Sequence, residues 1–385
     1  MLTTTLSTLF TLVAITTAHD EPESTVGAYA LTADLTYDTF FEGFEFFNEK
    51  DPTDGYVQYQ DLKSAIAKGL VGYLNDTQSV FMGVDYTTKD PKGRDAVRIR
   101  SKKAWNQGLA IADIQHMPPS QCGVWPAYWL LGSDAQGKEN WPDEGEIDIL
   151  EGVNDYENNA VTLHTNKGCT MDNTTQMVSG ASTSLPYTGS LFTSDCDVKN
   201  PDQPKNAGCS IKAPKTLPGA QMGIADSTEQ TVFPSYGTAF NTAGGGIYAT
   251  EWTSTYISVW FIPRDSPLYA LASSASPDPT QWGMPVAHFA GKSCDYVKKF
   301  VNLKMIFNTT FCGQWAGDPK EWNKSCAKKT GVAKCEDYVR DNPEAFADSY
   351  WEVRGVKWYQ KPAATKRGAG TEGFVKGKAG RWQRA

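Results

Sequence analysis

Residues 146–151 read Glu146-Ile147-Asp148-Ile149-Leu150-Glu151, so acidic and aliphatic side chains nearly alternate along this stretch. In an extended strand, side chains two residues apart share a face, and Glu146 and Asp148 therefore point the same way. Strict alternation would place Glu151 on the opposite, aliphatic face. One extra residue at Ile149-Leu150, a β-bulge, would return Glu151 to the face of the other two acids. The stretch predicts a half-buried β-strand with three carboxylates on one face.

Three carboxylates on one face of a strand are compatible with several kinds of site. Two of them could cleave a glycosidic bond, one attacking the anomeric carbon while the other, protonated, donates to the leaving oxygen. Crowding of like charges would help to keep one acid protonated, and the three groups would titrate as a coupled set. The acids could also bind calcium, which prefers oxygen ligands, or form a solvated polar face. The strand alone leaves these three interpretations open.

Further short segments have the composition of β-strands. Several alternate apolar and polar residues, and turns rich in Gly, Pro and Asn bound most of them. Helical periodicity is scarce, with one short helix predicted at 62–69. Many short strands without alternating helices predict an all-β sandwich of two antiparallel sheets. The segments are 97–100, 128–131, 161–164, 257–261, 303–307 and 351–359.

Residues 166–245 differ from the rest of the chain. They contain three cysteines, much Gly, Pro, Ser and Asn, and little strand pattern. So long a stretch without regular structure is unusual within a domain unless it is functional or cross-linked. We expect a disulfide-linked excursion that lies either beside the carboxylates or as a surface insert, which surface loops tolerate well.

The N-terminus and the cysteines predict secretion. Residues 1–18 have an apolar centre and end in small residues, as in a secretory signal peptide, the alternative being a buried strand or helix. All eight cysteines follow this segment, and the absence of CxxC spacing favours disulfides over zinc, with the pairing left open. Four glycosylation sequons, at Asn75, Asn173, Asn308 and Asn323, agree with an extracellular location.

The charge distribution separates a body from a tail. The chain has a net charge of −8; residues 361–385 contribute seven basic side chains and one acidic, leaving −14 for the rest. An acidic body argues against nucleic acid as a partner, and no internal stretch approaches the roughly 18 apolar residues of a membrane span. We expect one domain at 19–360 and a basic, flexible tail at 361–385.

The segments around the acidic strand have a recognisable pattern. Residues 122–132 read CGVWPAYWLLG and residues 140–154 read NWPDEGEIDILEGVN. Together with the segments at 161–164, 248–253, 259–264, 307–317 and 350–359, they resemble glycoside hydrolase family 16. Within the family they are most similar to the secreted fungal laminarinases and endo-1,3(4)-β-glucanases, which share the bulged Glu-x-Asp-x-x-Glu spacing. The resemblance extends over about residues 25–360.

The resemblance implies a fold and a set of roles. The implied fold is a β-jelly-roll with an open concave substrate cleft, and the implied reaction retains the anomeric configuration. Glu146 corresponds to the nucleophile, Asp148 to its assistant and Glu151 to the general acid/base. His164 corresponds to a histidine beside the acid/base and the sugar site, which makes it a substrate-binding candidate.

Several tryptophans are candidates for sugar binding, because indole faces suit the apolar C–H faces of pyranose rings. Trp141 and Trp315 correspond to family tryptophans on the glycone side of the cleft. Trp125 and Trp252 fit either the cleft or the core and are kept as substrate-binding candidates. The period of their strands predicts that Trp129 and Trp260 belong to the core.

The sequence as a whole predicts a secreted endo-β-glucanase that acts on β-1,3-glucan and on mixed β-1,3/1,4-glucan. The alternatives are a cell-wall β-glucan transglycosylase of the same fold and a non-catalytic β-glucan lectin, although lectins of this fold usually lack one or both glutamates. We expect a monomer that requires no cofactor, and the resemblance allows a structural calcium ion. Because Asn308 falls in a cleft strand, we expect it to be poorly glycosylated compared with Asn75 and Asn173.

Overall fold

Two antiparallel β-sheets of eight strands each form the body of the protein in the computed structural model. The structure describes residues 28–171, 187–222 and 228–362, together with two short strands, Phe374–Lys376 and Trp382–Arg384, which pair with each other. The body comprises Tyr29–Pro362, compared with the predicted 19–360. The predicted signal peptide, the sequon at Asn173 and most of the basic tail lie outside the described residues and stay predictions.

The first sheet contains the acidic strand near its centre. Every neighbouring pair is antiparallel. With strands numbered in chain order, its spatial order is β12 (Ser190–Thr193), β13 (Cys209–Lys212), β11 (Ala160–His164), β10 (Glu146–Glu151), β9 (Val124–Leu131), β19 (Lys304–Phe311), β7 (Arg98–Ser101) and β2 (Phe44–Phe47).

The second sheet is also antiparallel. Its spatial order is β18 (Ala287–Ala290), β17 (Tyr256–Pro263), β16 (Gly246–Trp252), β8 (Gly108–His116), β20 (Trp351–Gln360), β5 (Ser79–Met82) and β4 (Val71–Leu74), with β1 (Ala30–Thr36) paired to β20. Two small ladders stand apart: β3 (Val57–Tyr59) with β6 (Arg94–Ala96), and β14 (Thr216–Pro218) with β15 (Gln230–Val232). The predicted antiparallel sandwich is confirmed.

The main hydrophobic core receives side chains from both sheets. Tyr128 and Leu130 of β9 and Ile147 of β10 are fully buried in it, as are Tyr248 and Val259 of the second sheet. Burying each such side chain contributes about 1.5–3 kcal/mol relative to leaving it exposed. Since the aliphatic residues of β10 face this core, the acids of the same strand lie on the outer face of the first sheet. We call this outer face the carboxylate face.

Helices are short and few among the described residues. They are α1 (Leu62–Ala67), α2 (Gly237–Thr242), α3 (Leu268–Ala272), α4 (Tyr296–Lys299), α5 (Gly313–Ala316), α6 (Pro319–Trp322), α7 (Cys326–Thr330) and α8 (Cys335–Asp341). The first confirms the helix predicted at 62–69, and the Asp61 side chain caps it by accepting a hydrogen bond from the Ser64 backbone N–H. No helix in the described part of the chain combines the length and the apolar character that crossing a membrane requires.

All eight cysteines form disulfides, in the pairs Cys122–Cys326, Cys169–Cys294, Cys196–Cys209 and Cys312–Cys335. Two of these bonds join the α5–α8 segment to the residues just before β9 and just after β19. The sulfur atoms lie in a second hydrophobic cluster with Trp322 and Phe346. The α5–α8 segment is therefore fixed to one end of the strands that flank β10.

The region at 166–245 is more regular than the sequence predicted. Its β12 and β13 extend the first sheet beyond β11, so this part lies beside the carboxylates, and the Cys196–Cys209 bond joins β13 to the residues that follow β12. The prediction of a cross-linked excursion is confirmed, whereas the prediction of little strand structure is wrong. These strands are only four residues long and rich in Ser and Thr, which hides their alternation.

Candidate active site

The β10 strand carries the predicted bulge. Asp148 pairs with Trp129 of β9, Leu150 pairs with Tyr128, and the register shifts between them, so that Ile149 is the extra residue. Ile149 and Leu150 are both fully buried, although they are consecutive. Two successive inward side chains return Glu151 to the carboxylate face with Glu146 and Asp148.

A tight turn feeds the chain into this strand. Gly145 has a φ of +78°, in the region that favours glycine. A Cβ at this position would lie 2.3 Å from the Lys299 carbonyl oxygen, so no other residue fits without a shift of backbone. The glycine thus sets the position at which Glu146 enters the sheet.

His164 lies opposite Glu146 on the neighbouring strand β11. Its Nε2 is 3.0 Å from Asp148 Oδ2 and 3.8 Å from Glu146 Oε1. The histidine therefore faces the first two acids of the strand, and a protonated imidazole there stabilises their ionised forms. The sequence placed His164 beside the acid/base Glu151, whereas its short contacts are with Asp148 and Glu146.

Burial dominates the electrostatics of the three acids. It raises the pKa of Asp148 and of Glu151 to about 8, and it raises the pKa of Glu146 well above 4.5. The charge of Asp148 raises the pKa of both glutamates further, whereas His164 lowers both. Arg98 lowers the pKa of Glu146 as well. The site therefore retains protons at a pH where exposed carboxyl groups have lost them.

Aromatic side chains surround Glu151. The Trp125 Nε1–H donates a hydrogen bond of 2.8 Å to Glu151 Oε1. Trp315, on α5, packs edge-on against Trp125 with ring centroids 5.6 Å apart, and Tyr156 packs edge-on against Trp315. The structure therefore brings Trp125 and Trp315 together at the Glu151 end of the strand.

Trp141 lies at the other end of the strand. It belongs to the loop between β9 and β10, is 44% exposed, and its ring centroid is 6.2 Å from that of His164. An exposed indole beside a buried charged cluster is the arrangement that sugar-binding clefts use. Aromatic rings consequently flank the acids at both ends of β10.

Two predictions about tryptophans are wrong. Trp252 was a candidate for substrate binding, but it is 1% exposed and lies in the core between the sheets, on β16. Trp129 was assigned to the core, but it pairs with Asp148 and shares the carboxylate face, where its indole N–H donates to Asn308 Oδ1 at 2.7 Å. On β9 both faces carry large apolar residues, so the period could not show which face is inside. The predicted burial of Trp260 is confirmed, in a separate cluster with Trp282.

Sequence reasoning missed two polar residues of this face. Glu151 pairs with Ala127, Ala127 with Asn308, and Asn308 with Arg98, which aligns the two polar side chains with the acid. The Arg98 guanidinium lies 5.0 Å from the Trp129 ring centre and 4.7 Å from that of Phe47. Asn308 is buried, which agrees with the expectation of poor glycosylation without testing it. The alternation of 304–311 could have revealed Asn308, but its partners come from distant strands.

The same cluster is the place where a cation could bind. Single ligand atoms of Glu146, Asp148 and His164 lie within 4.8 Å of one another. Calcium prefers six to eight oxygen ligands, whereas this set offers one nitrogen and few oxygens. The structural calcium ion therefore stays a prediction without an assigned site.

Comparison with known proteins identifies the class. The chain matches the XgeA-like catalytic domain of glycoside hydrolase family 16 over residues 44–226 and 221–359. It therefore belongs to glycoside hydrolase family 16. An endo-1,3(4)-β-glucanase of Arthroderma benhamiae is 40% identical over 337 residues, which cover 87% of this chain and 66% of that protein. The chain spans about half of the length of several other curated relatives that it matches.

Two solved structures are similar over their whole length. One is the family 16 Laminarinase 16A from Phanerochaete chrysosporium with 6-O-glucosyl-laminaritriose in both donor and acceptor sites; it is 36% identical with a TM-score of 0.71. The other is an elongating family 16 β-1,3-glucosyltransferase, 37% identical with a TM-score of 0.70. Each match covers 86% of this chain and 100% of the solved structure. The fold of the body is therefore that of the laminarinases.

Proposed function

We propose that this chain is a retaining endo-β-glucanase that hydrolyses β-1,3-linked glucans and mixed β-1,3/1,4-linked glucans. The observation that carries the proposal is the bulged strand β10, with buried Asp148 between two partly buried glutamates on one face and aromatic side chains at both ends, in a member of family 16. The name of the Arthroderma benhamiae relative and the glucan bound to Laminarinase 16A support the choice of substrate.

In the first half of the reaction, the ionised Glu146 attacks the anomeric carbon of the sugar. The bond from this carbon to the glycosidic oxygen breaks, and Glu151 gives its proton to that oxygen, leaving a glycosyl ester on Glu146. His164 and Arg98 both favour the ionised form of Glu146, and the burial of Glu151 favours its protonated form. The reaction thus requires an ionised Glu146 and a protonated Glu151 at the same time.

In the second half, water replaces the enzyme on the anomeric carbon. Glu151, now ionised, takes a proton from the attacking water, and the ester bond to Glu146 breaks. Asp148 lies between the two glutamates and is 3% exposed. We assign it the role of holding a proton or hydrogen bond toward Glu146 while the charge on that carboxylate changes.

The aromatic residues supply the surface that holds the polymer. Trp125 and Trp315 at one end of β10 and Trp141 at the other offer indole faces and edges to pyranose rings. Polar groups of Arg98 and Asn308, three and two strands away from β10, lie on the same face. A chain of glucosyl units lying across the strands would meet both sets.

A transglycosylase is the second candidate. The similarity to an elongating β-1,3-glucosyltransferase over 100% of that chain favours it. The chemistry would differ only in the second half, where a sugar hydroxyl replaces water as the acceptor. We further propose that the protein is secreted, which its four disulfides support, and that it acts as a monomer.

The proposal is tested by digesting laminarin, lichenan and a β-1,6-branched β-glucan with the purified protein. We expect oligosaccharides of several lengths from laminarin at early times, and a first product with the β configuration by proton NMR. Release of glucose alone would contradict the endo mode, and an α product would contradict retention. At high laminari-oligosaccharide concentration, products longer than the substrate would favour the transglycosylase.

A further inference from the structure

The bulge on β10 creates a hydrogen-bonding problem. A bulge leaves backbone groups of the extra residue without partners in the sheet, and buried unpaired groups are costly. On the β11 side, β10 pairs only through Glu146, Ile147 and Asp148, so Ile149 and Glu151 have no strand partner there. These are the residues whose backbone decides where the Glu151 side chain starts.

One side chain supplies the missing bonds. The Asn159 Nδ2–H donates to the Ile149 carbonyl oxygen at 2.7 Å, and Asn159 Oδ1 accepts from the Glu151 backbone N–H at 2.8 Å. An amide carries a donor and an acceptor in one plane, so it can imitate a strand residue on both sides of the bulge. Asn159 immediately precedes β11 and therefore lies where the next ladder residue would be.

Asn159 is itself held rigidly. It is completely buried, and its backbone N–H donates to Ser235 Oγ at 3.2 Å. Its carbonyl oxygen accepts from the Ala213 backbone N–H at 2.9 Å, next to β13. The Tyr248 hydroxyl of the second sheet donates to the Ser235 carbonyl, which links the bulge to the opposite sheet. Because the backbone of Asn159 is fixed by these bonds, its side-chain amide fixes the backbone of Glu151.

We propose that Asn159 is a positioning residue that holds Glu151 where it can protonate the leaving oxygen; the inference rests on the proposed role of Glu151 as the general acid/base. Asn159 lies beside β10 in the sheet and is completely buried, which leaves its side chain out of reach of a substrate in the cleft. Its replacement therefore weakens proton donation more than it weakens binding or attack by Glu146. This asymmetry separates positioning from a merely structural role.

The test compares Asn159→Asp with the matched control Asn158→Asp on two substrates. The first change keeps the size of the side chain but removes the donor to Ile149, whereas the neighbouring Asn158 is half-buried and donates only to the Ala213 carbonyl. Laminarin needs a proton on its leaving oxygen, whereas 2,4-dinitrophenyl β-laminaribioside has a leaving group that needs none. The ratio kcat/KM reports the steps up to bond cleavage.

For Asn159→Asp we expect kcat/KM on laminarin to fall about tenfold or more, and kcat/KM on the aryl glycoside to stay within about threefold. Asn158→Asp should leave both substrates unchanged. Ser235→Ala, a milder change, should give a smaller loss of kcat/KM, again on laminarin and not on the aryl glycoside. This variant replaces Asn159→Asp in the test if Asn159→Asp does not fold. Equal losses on both substrates, or no loss on laminarin, would overturn the inference.

Glu151→Gln measured beside these variants separates this inference from the proposed function. If Glu151→Gln is selective for laminarin and the Asn159 and Ser235 variants are not, only the positioning role fails. If Glu151→Gln itself loses activity equally on both substrates, its role as the acid/base fails, and with it the premise of the inference.

Discussion

The two sheets each bury carboxylates, and the two sites are built differently. Glu251, on β16 of the second sheet, is 5% exposed and both of its oxygens are occupied. The Tyr29 hydroxyl donates to Oε1 at 2.7 Å, the Tyr256 hydroxyl donates to Oε2 at 2.8 Å, and Lys361 Nζ lies 3.5 Å from Oε1. This carboxylate has partners for its charge and for its lone pairs, as a structural acid requires.

The acids of β10 have fewer partners: Glu151 accepts one hydrogen bond, from Trp125. Asp148 Oδ2 accepts no hydrogen bond from any described residue, although it lies close to His164, and its nearest carboxyl neighbours on the strand carry the same charge. Burial raises the pKa values of the glutamates more than their few favourable contacts lower them. The comparison teaches that a buried acid whose two oxygens both have donors stabilises the fold, whereas crowded acids with few donors hold protons for chemistry.

The largest effect should come from the same substitution at the two sites. Glu146→Gln removes the proposed nucleophile, and we expect kcat/KM on laminarin to fall about 10⁴-fold or more. Glu251→Gln should leave activity intact and lower stability by about 1–3 kcal/mol, because three donors lose a charged acceptor. Reducing-end assays and thermal unfolding measure both. If Glu146→Gln retained activity, Glu146 would not be the nucleophile.

The next effect concerns pH. Glu151 must be protonated to act as an acid, and burial raises its pKa from 4.5 to about 8, so activity should persist well above pH 4.5 and be lost as pH rises through about 8. Glu151→Gln should lose about 10²–10⁴-fold on laminarin. The residual activity of this variant on laminarin should also lack the alkaline limb of the pH–kcat/KM profile, because the glutamine cannot ionise. An unchanged alkaline limb in that variant would assign the limb to another group.

A smaller effect should appear in stability. Asp148 has its pKa raised from 3.8 to about 8, so the folded protein holds a proton that the unfolded chain releases. Stability from this group is present below about pH 4 and is lost as pH rises toward 8. Asp148→Asn should therefore match the wild type near pH 4 and exceed it in Tm by a few degrees near pH 8. Glu251→Gln should show no such gain, and a gain there would erase the contrast between the sites.

The smallest effect is expected at Trp125. Its hydrogen bond to Glu151 lowers the pKa of that acid, against the larger rise that burial causes. Trp125→Phe keeps a ring and removes the donor, so the alkaline limb should move to higher pH and kcat/KM should fall no more than about tenfold. A limb that moves to lower pH would show that the hydrogen bond is not what the indole contributes. Trp260→Phe, far from the site, is the control.

The sequence predicted the catalytic strand well because its evidence is local. Two consecutive aliphatic residues between acids indicate a bulge when both are buried. Ile149 and Leu150 are both fully buried. Trp129 and Trp252 were misplaced because large apolar side chains cover more than one face of each sheet, so the period does not identify the core. Arg98 and Asn159 escaped attention, and Asn308 was considered only as a glycosylation site, because their importance depends on partners in other strands.

The bulge has a further consequence for how such a strand can change over time. Losing one codon for Ile149 or Leu150 would leave a straight Glu-x-Asp-x-Glu strand, in which simple alternation keeps all three acids on one side. The bulged and the straight strand are therefore a single insertion or deletion apart. The change from one to the other requires no intermediate in which an acid faces the core. A lineage that took this step would have no use for the amide at Asn159, and that position would be released to drift.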